Sequence, residues 1–167
     1  KRQKLCSFKV VKPKPLFKNK KIVSSTLIRS FLQEGKLQKA NKFLGRKWSI
    51  NGKVQKGRQL GKKIGFPTAN IDIKDYILAC PGVYAVQVQK TRGTNYLKGI
   101  ANLGYRPTFN GKKILLEVHL FNFSGNLYNK YLTVEFVKFI RKEKKFKNVE
   151  HLKKQIKIDL LIAKKTK

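Results

Sequence analysis

The chain has 167 residues, with 40 Lys+Arg against 8 Asp+Glu and a formal net charge of +32. Hydrophobic residues make up 41% and aromatics 11%, enough for a packed core and too many for a disordered basic tail. No stretch approaches the ~20 apolar residues of a membrane span, and the lysine-rich start lacks a signal-peptide apolar block, so a cytoplasmic protein without membrane contact is expected.

Such a charge invites a polyanion, and a basic β-barrel that binds nucleic acid is the alternative function to weigh. The make-up of the charge argues against it. Only seven of the 40 cations are arginines, and bidentate phosphate and guanine contacts are arginine chemistry. Lysine is spread along the whole chain beside abundant Ile and Asn, a pattern that compositional bias explains better than specific nucleic-acid recognition. Cys6 and Cys80 form neither a disulfide framework nor a zinc pattern and read as free thiols. Methionine is absent, which suggests a piece of a longer chain.

Residues 1–21 carry nine cations, no acid, Pro13 and Pro15, and read as a connecting segment with one strand at Phe8–Val11. Ser24-Ser25-Thr26 before Leu27, Ile28, Phe31 and Leu32 predicts a capped helix. Gly35 interrupts the pattern. A second short helix runs through Leu37, Ala40, Phe43 and Leu44 and stops at Gly45. From Ile50 the texture becomes β. The best strands are Gly82–Gln89, Tyr96–Asn102, Ile114–Phe121 and Leu132–Phe139, with Asn51-Gly52, Arg92-Gly93 and Asn110-Gly111 as turn signals. Their spacing fits a small antiparallel barrel or sandwich. Asn148 caps a last helix whose apolar stripe is Val149, Leu152, Ile156, Leu160 and Ala163.

The glycines of Gly57-Arg-Gln-Leu-Gly61-Lys-Lys-Ile-Gly65 lie too close for a Walker A loop. A cationic glycine-rich loop can still lie over phosphates through bare backbone amides, with Lys62 and Lys63 neutralising charge. An ordinary β-loop fits the pattern equally well. In Pro67-Thr68-Ala69-Asn70, Thr68 and Asn70 point the same way if extended, and their oxygens suit Mg²⁺ held with substrate phosphates or a plain polar strand edge. An alcohol acceptor benefits from a base on its proton. Of the eight carboxylates only Glu117 and Glu135 fall inside predicted strands. Glu117 lies in the more apolar run, where a charge is costly without a function or a lysine partner. His119, on the same face, reads as structural or solvent-facing. Glu34, Glu143, Glu150 and Asp159 sit in helical or lysine-rich contexts, and Asp72 and Asp75 flank a turn.

Taken in order, GKKIGFPTANI (61–71), PGVYAV (81–86), ANLGYRPTF (101–109), LEVHLFNF (116–123), LYNKYLTVEF (127–136) and FIRKEKKF (139–146) resemble riboflavin kinase as found at the C-terminus of bacterial bifunctional riboflavin kinase/FAD synthetase. The resemblance covers about residues 22–163. It implies a mainly β fold: an antiparallel, Greek-key-like barrel of about six strands, with short N-terminal helices and a C-terminal helix. It also implies transfer of the ATP γ-phosphoryl to the 5′-hydroxyl of riboflavin, giving FMN. By resemblance Glu117 is the catalytic base, and Thr68 and Asn70 hold Mg²⁺. Gly57, Gly61, Lys62, Gly65, Phe66, Pro67, Thr68, Asn70, Leu120, Asn122 and Tyr128 fall on the ATP side. Arg141, Glu143 and Phe146 match the loop that closes on the flavin. Asn129 stands where the family has Gly, a position Asn can hold in the left-handed region.

Val23-Ser24-Ser25-Thr26-Leu27-Ile28-Arg29 resembles the end of the FMN adenylyltransferase domain to which these kinases are normally fused. The resemblance therefore divides the chain into 1–45, an adenylyltransferase tail with linker helices, and 46–167, the kinase domain. The early histidine motif of the adenylyltransferase is absent, since His119 and His151 are the only histidines, so no FAD synthesis is expected from these residues alone.

Overall fold

The computed structural model of the protein describes residues 11–57, 59–73, 76–90, 95–108 and 111–166, with backbone alone at 106–108 and 111–113. A two-strand hairpin, β1 (Phe17–Lys18) and β2 (Lys21–Ile22), precedes two helices, α1 (Ser25–Gln33) and α2 (Leu37–Leu44). The strand expected at Phe8–Val11 falls largely outside the described residues. Ser24 caps α1 by accepting the Leu27 N–H at 3.2 Å, and Gly45 ends α2 in the left-handed conformation.

Six strands then build a closed antiparallel barrel: β3 (Ser49–Gln55), β4 (Ala69–Asp72), β5 (Gly82–Lys90), β6 (Tyr96–Thr108), β7 (Gly111–Leu120) and β8 (Tyr131–Lys142), in the order β3-β4-β7-β6-β5-β8. A short helix, α3 (Leu60–Lys63), interrupts the connection from β3 to β4, and α4 (Val149–Lys165) closes the chain. Among the described residues no helix is long and apolar enough to cross a membrane.

Strand alternation decides what faces inward. Leu116, Val118 and Leu120 of β7 join Ile71, Tyr84, Leu103, Leu132, Val134 and Phe136 in the core. The apolar faces of α1 and α2 join the same core through Phe31, Leu32, Leu37, Ala40 and Phe43. Asn41 ties α2 to the barrel, donating to Phe136 O at 3.0 Å and accepting from Trp48 N at 2.8 Å. The Tyr84 hydroxyl donates to Cys80 O, and burial is the main reason its pKa lies well above the usual phenol range.

Several expectations change. Asn51-Gly52 is no turn, because both residues lie inside β3, where Gly52 lies against Ile71 of the neighbouring strand β4. A side chain at 52 would overlap the buried Ile71, so the glycine serves close packing. Arg92-Gly93 falls outside the described residues. So does Asn110, although Thr108 and Gly111 pair across that junction. Val149 is 54% exposed rather than part of the buried stripe of α4. Ala163 and Leu160 pack on Val83, Ala85 and Ile100 of the outer barrel wall, and Asp159 takes a buried place between Ile156 and Ala163. Asn129 adopts the left-handed conformation, at φ 62°.

Gly52→Ala is expected to lower unfolding stability by about 1–3 kcal/mol through overpacking against Ile71, read as an earlier urea midpoint at unchanged slope.

Candidate active site

Side chains that alternate with the core residues project from the outer wall of the barrel. In β4 these are Asn70 and Asp72, in β7 Leu115, Glu117 and His119, and in β6 Ile100 and Asn102. The register places them in rows. Asn70 pairs with Glu117, Glu117 with Asn102, and Asn102 with Val83. Opposite residues on one face hold their Cβ atoms about 4.5–5.5 Å apart. The Glu117 carboxylate therefore stands between two side-chain amides. Glu135, the other strand carboxylate, is held elsewhere by Lys47 at 3.4 Å and Tyr96 at 3.2 Å, with Lys47 also donating to Gln87.

Asn70 is only 5% exposed. Its Nδ2 leans toward Thr68 O at 3.5 Å, while its Oδ1 is buried with no hydrogen-bond partner. An unsatisfied buried acceptor costs about 1–3 kcal/mol, so this oxygen is poised for a ligand. Gly57 lies directly on the Asn70 amide, where any side chain would overlap it. Gly61 lies on Phe66 O, and a Cβ there would be 3.3 Å from Thr68 Oγ1. The glycine segment thus folds back over Thr68 and Asn70. The hydroxyl and amide oxygens of these residues are hard donors of the kind Mg²⁺ accepts, and the orphaned Asn70 Oδ1 fits that use.

On the opposite side, Gly104 lies two residues beyond Asn102, about 7 Å along β6. The Glu143 carboxylate rests on Gly104, in space that a Cβ would occupy. Asp72, Glu117 and Glu143, three of eight carboxylates, thereby approach one stretch of outer wall in a strongly cationic protein.

The structure distributes the remaining candidates unequally. Phe66, Pro67, Thr68, Asn70, Gly57, Gly61 and Glu117 come together. Gly65 takes φ 91°, and Lys62 is exposed on α3. Leu120 points into the core at 7% exposure, so its side chain is absent from the outer wall. Asn122 sits in the left-handed turn after β7, in a cleft with Tyr96, Lys98, Phe121 and Lys164. Tyr128 is exposed in the loop before β8. Phe146 stacks 5.7 Å from the Arg141 guanidinium. That guanidinium is engaged by Asp159 of α4: Nε reaches both carboxylate oxygens at 3.0 Å and Nη2 reaches Oδ2 at 2.8 Å. Gln155 donates to the same carboxylate at 2.9 Å. Asp159, which the sequence placed in a helical or lysine-rich context, is 2% exposed and locks α4 to the end of β8. Asn102 and Gly104 received no role from the sequence. Read as a two-residue hairpin loop, Asn110-Gly111 sets Asn102 opposite His119, two residues away from its observed partner Glu117, so the turn signal could not have found it.

An outer-wall carboxylate flanked by amides, beside a glycine-rich cover over hard oxygen donors, offers the groups that phosphoryl transfer to an alcohol uses. The sequence model of the flavokinase family, described as riboflavin kinase, matches residues 44–167. The chain belongs to the riboflavin kinase family. It is 47% identical over 142 residues to a bifunctional riboflavin kinase/FMN adenylyltransferase of Haemophilus influenzae, covering 85% of this chain and 46% of that protein. Another of the same description, from Buchnera aphidicola subsp. Schizaphis graminum, is 45% identical over 95% of this chain and 52% of its own length. The chain spans about half the length of these curated relatives. A solved structure described as a macrolide-efflux protein from Streptococcus pneumoniae superposes with a TM-score of 0.83 at 33% identity, over 92% of this chain and 50% of that one.

Asp159→Ala leaves a largely buried guanidinium unpaired and is expected to cost about 3 kcal/mol. Lys47→Ala, which breaks an exposed pair, is expected to cost under about 1 kcal/mol. Chemical denaturation of the two variants checks the contrast.

Proposed function

We propose that this chain phosphorylates riboflavin at its ribityl 5′-hydroxyl, with ATP as donor, giving FMN and ADP. The observation that carries the reading is Glu117 held between Asn70 and Asn102 beside the buried Asn70 oxygen. Glu117 accepts the hydroxyl proton as the oxygen forms its bond to the γ-phosphorus and the bond to the ADP oxygen breaks. Phosphoryl transfer asks little covalent work of a protein, so positioning and charge neutralisation carry the rate. Thr68 and Asn70 would hold Mg²⁺, which neutralises phosphate charge when bound. The glycine segment covers the phosphates with backbone amides, and Lys62 adds a cation. Asn102 and Asn70 keep the base oriented. On the far side Glu143 and Phe146 border the flavin, while Arg141 holds their loop to α4 through Asp159.

Residues 46–167 form the kinase domain in this reading, and 1–45 the tail of an adenylyltransferase domain fused to it. The exposed Leu16, Phe17 and Ile22 of the hairpin support this, because they are apolar surface that a neighbouring domain would cover. Both substrates are small and water-soluble, in keeping with a cytoplasmic enzyme.

Glu117→Gln is expected to remain folded and to lose about 100- to 10,000-fold in kcat for FMN formation. Full activity in that variant would remove Glu117 as the base. Thr68→Ala is expected to raise the Mg²⁺ concentration needed for half-maximal rate, and an unchanged titration counts against its role as ligand.

A further inference from the structure

His119 follows Glu117 by two residues, so both leave β7 on the same outer face. Its Nδ1 lies 2.8 Å from Pro67 O. A carbonyl oxygen only accepts, so Nδ1 carries the hydrogen of that bond. The imidazole is bordered by aromatic rings on both sides: Phe66 edge-on at 6.0 Å and Phe121 at 6.1 Å. Pro67 C=O belongs to the planar peptide that leads into Thr68. A donor fixed on that oxygen fixes the plane, and the plane sets the direction in which Thr68 leaves the chain. Pro67 has no N–H, so its carbonyl is the one backbone hydrogen-bonding group that this residue offers. The same register extends the link: Ala69 pairs with Val118 and Asn70 with Glu117, which puts Thr68 next to His119.

We propose that His119 is the positioning residue that sets Thr68 and Asn70 relative to Glu117, through its hydrogen bond to Pro67 O and its packing on Phe66. It touches neither phosphate nor alcohol in this role. It ties the oxygen donors for the cation to the strand that carries the base, so that donors and base share one rigid reference. The inference rests on the kinase reading above for its consequence, and on the geometry alone for the link.

The test compares His119→Leu, which removes the donor, with His119→Asn, whose Nδ2 can reach the same carbonyl. The readouts are the Mg²⁺ dependence of FMN formation, calorimetric binding of Mg-ADP at graded Mg²⁺, and amide hydrogen exchange over residues 66–70. His119→Leu is expected to weaken Mg²⁺-dependent binding about 10- to 100-fold, as loss of an orienting group behind a metal ligand does. It should also speed exchange at 66–70 while leaving β5 and β8 protected. His119→Asn is expected to restore most of both. Wild-type Mg²⁺ dependence in folded His119→Leu overturns the proposal, and so does an equal defect in both variants. If His119→Leu does not fold, His119→Gln, whose amide sits one bond further out, takes its place with the same expected defect. If the wild-type chain makes no FMN, the kinase reading fails. The exchange comparison then decides the link by itself, unchanged protection at 66–70 overturning it.

Discussion

A shift of one residue in the pairing of β7 would turn Glu117 into the barrel and put Val118 on its surface. Nothing else about the site survives such a shift. Burying the carboxylate among Ile71, Leu103 and Leu116 would be prohibitive, and exposing Leu116, Val118 and Leu120 would forfeit much of the core. The hydrophobic pattern of β7 thus holds Glu117 on the outer wall. The neighbours of β7 complete the site: β4 brings Asn70 and β6 brings Asn102 to the two sides of Glu117. Barrel closure makes this register harder to lose, because β3 pairs with both β4 and β8 and leaves no free edge in the ring.

Two irregular segments are fastened to that wall from opposite sides, by different forces. The glycine segment is held by packing without side chains, with Gly57 against Asn70 and Gly61 against Phe66 O. The segment after β8 is held by charge: Arg141 and Asp159 join strand to helix, and Phe146 stacks on the guanidinium. A largely buried ion pair of this kind adds little net stability over apolar packing of similar volume, yet is costly to break. Its effect is to make the position of α4 and that of the loop at Glu143 one variable. Glu143 can then rest on Gly104 only because residue 104 has no side chain.

Much of this was legible in the amino-acid pattern. The alternation of Ile114 to Phe121, the Ser24 and Asn148 caps, and the left-handed Asn129 are local matters, and local chemistry settled them. Glu117 stood out because carboxylates are scarce. What escaped notice depended on pairing across distance. Gly52 carries a turn signature, yet its environment is set by Ile71 from another strand. Asp159 lies among the carboxylates of helical or lysine-rich context, and nothing local to α4 reveals its partner Arg141. The role of His119 required the path of residues 66–67, which periodicity does not give. The net charge of +32 singles out no position, since its lysines are spread along the whole chain.

The proposed chemistry rests on one location, the outer-wall row of Asn70, Glu117 and Asn102. Amide chemical-shift mapping with riboflavin and Mg-ADP added to the labelled protein tests it most directly. The largest shifts are expected on residues 57, 66–70, 102–104 and 117–119, with riboflavin also moving 141–146. Shifts confined to another face of the barrel, with this row unmoved, would contradict it.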